Sequence, residues 1–259
     1  IPTPTPVPLA RIATWELTHS SNNRPLNITQ IGNGPRQLVF VGGIHGNEPT
    51  TQELITHMMR HFQDNLALVP PDVTLYFLPN LNPDGLVADD RYTPSGVDLN
   101  RNWDTPTWVK DSPEPGGIKQ NSGGITPFSE PETAALSNFL LSLLNNSQTK
   151  SVSVIIYHHH AGAPSWGNVQ PGYIQYGSPV SPSIELAQAL SASSGYAYFP
   201  YWDGVYTPTG EAIQWSAIQG IAAVDIELSR DESLHSVPAF QTMTILQTAI
   251  QSVIWLMEQ

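Results

Sequence analysis

Apolar residues form short runs that alternate along the chain with longer segments of helical periodicity. Runs rich in Val, Ile, Leu and Phe have the length of buried strands and lie near residues 36–41, 73–79, 151–158 and 221–228. Segments that favour helices lie near residues 50–64, 130–146, 182–194 and 237–257. Elements of both kinds in alternation are typical of helices packed on a sheet. The pattern therefore predicts an α/β fold, a three-layer α/β/α sandwich around a mixed, mostly parallel twisted sheet.

The first residues of the chain differ in composition from the rest. The segment IPTPTPVP is rich in Pro and Thr, which favours an extended backbone and suits a core poorly. We therefore expect a tether over residues 1–13 and a single domain over residues 14–259. Tethers of this kind often follow an export segment, so a secreted, periplasmic or cell-surface protein is expected, with a cytoplasmic protein as the alternative. No run reaches the roughly 18 apolar residues of a membrane helix.

The composition narrows the possible partners and chemistry. The formal net charge is −12, which argues against nucleic acid and anionic membrane surfaces as partners. The chain contains no cysteine, so disulfides, thiolate zinc sites and thiol nucleophiles are excluded.

A candidate metal site begins where the first predicted strand ends. There His45 and Glu48 lie three residues apart, and their nitrogen and oxygen atoms are ligands that zinc accepts. A catalytic zinc usually has three protein ligands. A third is offered by the predicted strand SVSVIIY, which is followed by His158, His159 and His160. Because strand side chains alternate between the two faces, the three histidines cannot all face one ion. We expect His158 to be the ligand, with His159 and His160 as alternatives.

A candidate general base lies in the last predicted strand. Glu227 stands between two apolar residues, and a carboxylate in an apolar strand is costly unless it is paired or used in chemistry. Its use as a base competes with a structural salt bridge to Arg230. Asp225 faces the same side by alternation and is the candidate for a structural carboxylate.

The segment LPNLNPDGLVADDRYTPSGVDLNRNW combines a turn with polar residues suited to a binding cleft. It supplies Arg91, Asn100 and Arg101, and a guanidinium group binds a carboxylate or an oxyanion through two parallel hydrogen bonds. The chain has only 10 Lys and Arg in total, so two arginines in one segment indicate a function beyond solubility. The alternative for Arg101 is a surface pair with Asp98 or Asp104.

These motifs together resemble a known family. GGIHGNE, NPDG, GVDLNRNW, the strand that ends in histidine and the Glu227 strand occur in an order and spacing that resemble zinc carboxypeptidases of the carboxypeptidase A type. The stretch VYTPTGEAIQWSAIQGIAAVDIELS is similar to the tyrosine-bearing loop and catalytic-glutamate strand of that family. FSEPETAAL resembles a further family segment, in which we expect Ser129 and Glu132 to form a capping box. In its compactness the chain is similar to bacterial murein peptide amidases.

The resemblance implies a role for each matching residue of the reaction centre. His45, Glu48 and His158 match the ligands of one Zn²⁺ per chain, and Glu227 matches the general base that activates the attacking water. Arg91 matches the arginine that stabilises the oxyanion.

The resemblance also implies a set of substrate-binding residues. Asn100 and Arg101 match the pair that holds the terminal carboxylate of a peptide, and Tyr206 matches the loop tyrosine that closes over it. Ile213 matches the position that sets side-chain preference, although Asp203 and Glu211 lie nearby in the sequence.

The expected activity is hydrolysis of the C-terminal amide bond of a peptide with a free carboxylate, by water that zinc and a glutamate activate. The alternative is a zinc amidase or deacylase of cell-wall peptides or acyl-amino acids, similar to succinylglutamate desuccinylase. A binding module without activity is a third reading, which the complete set of ligands and base disfavours. A carboxylate-binding pair and a closing tyrosine favour the peptidase.

Overall fold

The computed structural model describes residues 11–159, 173–177, 181–199, 206–228 and 250–251. The strands within these ranges are β1 (Ile12–His19), β2 (Pro25–Gly32), β3 (Arg36–Val41), β4 (Val73–Leu78), β5 (Ser112–Glu114), β6 (Gly117–Lys119), β7 (Ser151–His159), β8 (Tyr173–Tyr176), β9 (Ala197–Phe199) and β10 (Ala222–Leu228). The helices are α1 (Pro49–Asp64), α2 (Pro83–Ala88), α3 (Pro131–Leu144), α4 (Ser181–Ser194) and α5 (Ala212–Ile218). Short 3₁₀ helices span Leu66–Leu68 and Leu99–Arg101.

The four predicted strands correspond to β3, β4, β7 and β10, and three of the predicted helices correspond to α1, α3 and α4. The predicted helix near 237–257 lies outside the described residues except at 250–251. Residues 1–10 of the predicted tether also lie outside them. Since β1 begins at Ile12, the last two residues assigned to the tether belong to a strand.

Eight strands form one mixed sheet in the order β1-β2-β4-β3-β7-β10-β8-β9. The central strands β4, β3, β7 and β10 are parallel to one another, whereas β1, β2 and β8 make the antiparallel pairings. The carboxyl ends of parallel strands meet at one edge of a sheet, which is where open α/β folds bind their ligands. The segments that follow β3, β7 and β10 therefore share one edge, as the candidate site requires.

Apolar side chains cover both faces of the sheet. On one face Met58 and Phe62 of α1 pack with Leu190 of α4 and the strands. On the other face Leu140 of α3 and Trp215 of α5 belong to a second buried cluster. Strands buried on both faces read as continuous apolar runs in the sequence, which is why the pattern identified them. The three-layer α/β/α prediction is confirmed.

The alternation of side chains along β7 decides where its histidines lie. Val154 and Ile156 belong to the cluster beneath α3 and α5, whereas Ile155 and Tyr157 belong to the cluster beneath α1 and α4. His158 continues the first series. Its neighbour His159 consequently follows the second series and lies on the other side of the sheet.

The predicted capping box of α3 is wrong. The helix begins at Pro131, and Glu130 at the cap position makes no side-chain cap hydrogen bond. Asn102, which follows the 3₁₀ helix Leu99–Arg101, contacts this helix end instead. The Nδ2 of Asn102 donates to Ser129 Oγ at 3.0 Å, and its Oδ1 accepts from the backbone N–H of Glu130 at 3.2 Å. The residues that precede the helix are therefore held by a distant amide and not by the predicted local motif.

Glu132 in the first turn of α3 is fully buried, and this has a measurable consequence for stability. Burial raises the pKa of Glu132 to about 7, although backbone N–H groups act in the opposite direction. The unfolded chain ionises near pH 4.5. Below that pH, Glu132 does not lower the free energy of unfolding. As the pH rises from there towards 7, the free energy of unfolding falls, because only the unfolded chain ionises freely. We expect Glu132→Gln to stabilise the protein by about 1–3 kcal/mol at pH 8 relative to its effect at pH 5.

Urea unfolding of both proteins at the two pH values measures this difference. The exposed Glu53 of α1 offers a matched control, since Glu53→Gln removes the same charge from solvent. An effect of Glu132→Gln that is equal at pH 5 and pH 8 would contradict the assigned burial of the charge.

Candidate active site

A glycine-containing turn after β3 carries the first two candidate ligands. Gly43 has a φ of 60°, in the left-handed region. A Cβ at Gly46 would lie 2.0 Å from the backbone carbon of Gly85, so this turn and the NPDG turn approach more closely than any other residue permits. Glu48 occupies the cap position of α1, which begins at Pro49. The contact between the two turns fixes the backbone that bears the candidate ligands.

The structure brings together the three predicted metal ligands. His45 Nδ1 lies 2.7 Å from Glu48 Oε1 and 3.3 Å from His158 Nδ1, and His158 Nδ1 lies 3.6 Å from Glu48 Oε2. All three side chains are buried, and their donor atoms lie within 4.8 Å of one another. The alternative His159 contributes a backbone N–H that donates to Glu48 Oε2 at 3.1 Å. His160 lies outside the described residues.

The outward nitrogens of both histidines face carboxylates. His45 Nε2 lies 3.1 Å from Asp98 Oδ1, and His158 Nε2 lies 3.5 Å from Asp225 Oδ1. A carboxylate in this position holds the ring proton on Nε2 and leaves the Nδ1 lone pair free. Two such lone pairs then converge with the oxygens of Glu48. This donor set fits zinc, which takes three nitrogen and oxygen ligands in catalytic sites.

The charge of the carboxylate in this set is secure. Burial raises the pKa of Glu48, but the neighbouring His45 and His158 together lower it by more than burial raises it. The pKa of Glu48 therefore lies well below its ordinary value. An ionised carboxylate is the form that binds a metal ion.

Arg91 lies beside the donor set. Its Nε and Nη2 lie 2.8 Å and 2.7 Å from Asp98 Oδ2. Its Nη1 lies 3.1 Å from His45 Nδ1 and 3.9 Å from Glu48 Oε1. Burial works to raise the pKa of Asp98, but Arg91 and His45 hold it well below its usual range. Asp98 therefore orients both a candidate ligand and the arginine nearest to it.

The predicted carboxylate-binding residues also meet in the structure. Arg101 Nη1 donates to the backbone oxygen of Asn100 at 2.7 Å, and its Nη2 donates to Tyr206 Oη at 3.2 Å. The Arg101 guanidinium carbon lies 5.7 Å from the centre of the Tyr206 ring. Both terminal nitrogens of Arg101 and the hydroxyl of Tyr206 therefore lie in the same part of the cleft.

Asn100 connects this group to the donor set. Its Nδ2 donates to Asp225 Oδ2 at 3.4 Å, and Asp225 in turn faces His158. Its Oδ1 accepts the backbone N–H of Ala212 at 3.0 Å, which ties it to the start of α5. The distance between the predicted carboxylate-binding residues and the candidate ligands is therefore fixed by direct contacts.

Arg101 does not form the surface pair considered as its alternative. It is 2 % exposed, and among the described residues the carboxylate within 4.0 Å of it belongs to Glu114 rather than to Asp98 or Asp104. A buried arginine with few contacts to carboxylates is costly in a free enzyme, which favours a ligand that completes its coordination.

Glu227 of β10 stands directly beside His158 of β7 in the parallel register. Burial raises the pKa of Glu227 to about 7, although His158 acts in the opposite direction. A carboxyl group with a pKa near neutrality is suited to exchange protons with a substrate. Arg230, the partner in the structural alternative, lies outside the described residues.

The residue predicted to set side-chain preference is less informative. Ile213 is 1 % exposed and belongs to the core cluster beneath α3 and α5. Two residues earlier, the buried Glu211 accepts a hydrogen bond from Gln175 Nε2 at 3.3 Å, and burial raises the pKa of Glu211 to about 7. Asp203 lies outside the described residues. The role of Ile213 stays a prediction.

Sequence reasoning did not assign three carboxylates of this site. Asp98 was considered only as a surface partner of Arg101, although its place inside GVDLNRNW and the need of a ligand histidine for an outer carboxylate pointed to it. Asp225 was expected on the correct side of the sheet, but without its contact to His158. Glu114 stands in a short hairpin after a long irregular segment, and nothing in its local sequence indicates a buried position.

Comparisons with known proteins identify the family of this chain. A family model described as zinc carboxypeptidase matches residues 10–252. Carboxypeptidase O of Bos taurus is 25% identical over 222 residues, which cover 76% of this chain and 58% of that protein. Carboxypeptidase SOL1 of Arabidopsis thaliana is 29% identical over 101 residues, which cover 34% of this chain and 21% of that protein. The matches span less than two thirds of either relative.

Solved structures show the same fold. Bovine thrombin-activatable fibrinolysis inhibitor, in complex with tick carboxypeptidase inhibitor, aligns with a TM-score of 0.72 at 18% identity over 95% of this chain and 91% of that chain. Murein-tripeptide amidase MpaA from Escherichia coli O157 aligns with a TM-score of 0.62 at 18% identity over 94% of both chains. Because the family model covers nearly the whole sequence, the chain belongs to the zinc carboxypeptidase family, a family of zinc enzymes.

Proposed function

We propose that this domain is a zinc-dependent metallopeptidase that hydrolyses the peptide bond next to a free C-terminal carboxylate. The observation that carries the proposal is the direct connection between two groups of residues. Asn100 and Arg101 can hold the carboxylate, and Asn100 reaches the candidate ligand His158 through Asp225. A fixed distance of this kind selects the last peptide bond of a chain.

The carboxylate side of the site uses charge and exclusion of water. In a buried cleft the Arg101 guanidinium binds a carboxylate through charge-assisted hydrogen bonds. The hydroxyl of Tyr206 already lies 3.2 Å from Arg101 Nη2, where a bound carboxylate can accept from both groups. Asn100 adds a neutral donor. Together they hold the substrate in a reactive orientation.

The reaction side of the site divides the chemistry among the ligands, a base and an arginine. His45, Glu48 and His158 would hold zinc, which would supply Lewis-acid polarisation of the carbonyl group and activation of water. Glu227 takes a proton from the attacking water and passes it to the leaving amine, as base and then acid. Arg91 Nη1 stabilises the negative charge that develops on the carbonyl oxygen.

A zinc amidase of cell-wall peptides or a deacylase of acyl-amino acids is the second candidate. Its support is the compact size of the chain, which aligns with the Escherichia coli murein-tripeptide amidase over 94% of both chains. The same candidate ligands and base serve either reaction. The two candidates differ in whether the free carboxylate of the substrate contributes to binding.

The described helices and the composition of the first residues bear on the cellular location of the protein. Among the helices that the structure describes, none combines the length and the apolar character needed to cross a membrane. We propose export to the periplasm or the cell surface, on the Pro/Thr-rich composition of the first residues. Fractionation of cells that express the native gene tests this proposal.

Peptides with free and amidated C-termini test the proposed activity. Amidation removes the charge that Arg101 binds and leaves the guanidinium buried without a partner, at a cost of about 2–4 kcal/mol. We therefore expect kcat/KM to fall by about 30- to 900-fold on amidation, measured by release of the C-terminal residue.

The substitution Arg101→Ala should lower kcat/KM for free-acid peptides and remove most of the preference over amidated peptides. Arg60→Ala, at an exposed position of α1, removes the same charge and should leave the preference intact. Equal cleavage of free and amidated peptides by the wild type would reject the carboxypeptidase and favour an amidase or endopeptidase.

A further inference from the structure

The β5–β6 hairpin places one acidic side chain in the cleft. Glu114 is 3 % exposed and lies between the two arginines of the site. Its Oε2 lies 3.5 Å from Arg91 Nε, and its Oε1 lies 3.9 Å from Arg101 Nε. The mechanism derived above gives this carboxylate no part in the reaction.

Carboxylates already surround the two arginines in the free protein, and Glu48 Oε1 lies 3.9 Å from Arg91 Nη1. Arg91 is matched by Asp98, which it contacts through two nitrogens. Arg101 is matched by Glu114 at a longer distance. A substrate carboxylate bound to Arg101 adds a further negative charge to this buried space. Unbalanced buried charge is costly, and a carboxyl group in such a place responds by taking up a proton.

We propose that Glu114 positions the Arg101 guanidinium in the free enzyme and takes up a proton from solvent when the C-terminal carboxylate of a substrate binds. The ionised carboxylate holds Arg101 in place until the substrate arrives. Its protonation then leaves the guanidinium to the substrate. The proposal rests on the proposed function, because it needs the substrate carboxylate on Arg101.

Most of the groups that face Glu114 keep one protonation state near neutrality. They come from the segment after β3, the segment after α2, the 3₁₀ helix and the segment before α5, and they are His45, Arg91, Tyr92, Asp98, Arg101 and Tyr206. The pKa of each arginine is raised and that of Asp98 is lowered, so all three keep their charge near neutrality. Burial raises the pKa of Tyr92 and Tyr206, and both keep their protons.

The pKa of Glu114 itself lies in the pH range in which enzymes are usually assayed. Burial and the charge of Asp98 raise it to about 7, while Arg101 and Arg91 act in the opposite direction. A substrate that binds only beside the protonated form must compete with ionisation above this pH. By linkage, KM for free-acid peptides should rise about tenfold between pH 6 and pH 8.

The variant Glu114→Gln removes the charge and keeps the shape. We expect its KM for free-acid peptides to be about tenfold below that of the wild type at pH 8 and within about twofold at pH 6. The values of kcat should differ less than the values of KM, since Glu114 does not contact the reacting bond. With amidated peptides the two proteins should show the same pH dependence of KM. The exposed control Glu53→Gln should behave as the wild type.

Proton uptake provides a readout that a structural role would not change. Calorimetric titration of the zinc-loaded protein with a hydrolysis-resistant, free-acid peptide analogue, in buffers of different ionisation enthalpy, counts the protons bound with the ligand. The wild type should take up about 0.9 proton at pH 8, and Glu114→Gln should take up none from this source. If the variant does not fold, a wild type that takes up no proton at pH 8 would by itself overturn the proposal.

The outcomes separate this proposal from the one on which it rests. A wild type that prefers free-acid peptides but shows no proton uptake, or a pH dependence that Glu114→Gln retains, overturns the role of Glu114 alone. A wild type without preference for the free acid overturns both proposals. Preference together with uptake that Glu114→Gln abolishes supports both.

Discussion

Replacement of Glu227 by Gln is expected to lower kcat by about 10²- to 10⁴-fold, the range that general acid–base catalysis contributes. The amide has nearly the same size as the carboxyl group but cannot take a proton from water. Glu227 lies beside His158 in the parallel register of β7 and β10, and burial raises its pKa to about 7. We expect zinc content and KM to change little, because Glu227 is not one of the three convergent donors.

Steady-state kinetics on a free-acid peptide, with zinc content determined on the same samples, measures this effect. Glu211→Gln is a matched control, since Glu211 is also a buried carboxyl group whose pKa burial raises to about 7. It does not adjoin His158 in the register, so its kcat should fall less than tenfold. A Glu227→Gln variant with nearly normal turnover would assign Glu227 to structure.

The sequence predicted the central strands and the three-layer architecture because these depend on local patterns. β3, β7 and β10 are buried on both faces, so their sequences are nearly uninterrupted runs of apolar residues. Their parallel pairing then places the residues after each strand at one edge. That is why candidate ligands more than 100 residues apart could be expected together.

The parts that could not be predicted depend on contacts between distant segments. The start of α3 is held by Asn102, whose amide bonds to Ser129 Oγ and to the backbone N–H of Glu130. Glu114 is buried only because the β5–β6 hairpin packs against the arginines of the cleft. No periodicity in the sequence records such packing, since short polar segments carry little hydrophobic signal.

The choice among the three consecutive histidines depends partly on the sequence pattern and partly on the structure. Alternation along β7 excludes His159 from the side on which His158 lies, and this could be argued without coordinates. The convergence of His158 Nδ1 on His45 and Glu48 adds a distance, and the contact of its Nε2 with Asp225 adds an orientation. The resulting hypothesis is specific enough to be tested by metal content alone.

His158→Ala is expected to leave the protein with less than about 0.1 zinc per chain after dialysis, where the wild type retains about one. Loss of an outer carboxylate that orients a ligand typically weakens metal affinity by about 10- to 100-fold, and loss of a ligand weakens it further. Asp225→Asn should therefore bind zinc with an affinity between those of the wild type and His158→Ala. Elemental analysis and competition with a chelator give both values without an activity assay.

Two further histidine variants complete this experiment. His57→Ala changes an exposed histidine of α1 and should retain full zinc occupancy. His160→Ala tests the remaining alternative for the third ligand. If His160→Ala lost zinc while His158→Ala kept it, the assignment would be wrong, and the convergence of the three donors would require another explanation. If His158→Ala loses zinc while His57→Ala and His160→Ala retain it, His158 is the third ligand, because removing one of three donors leaves two, fewer than catalytic zinc sites use.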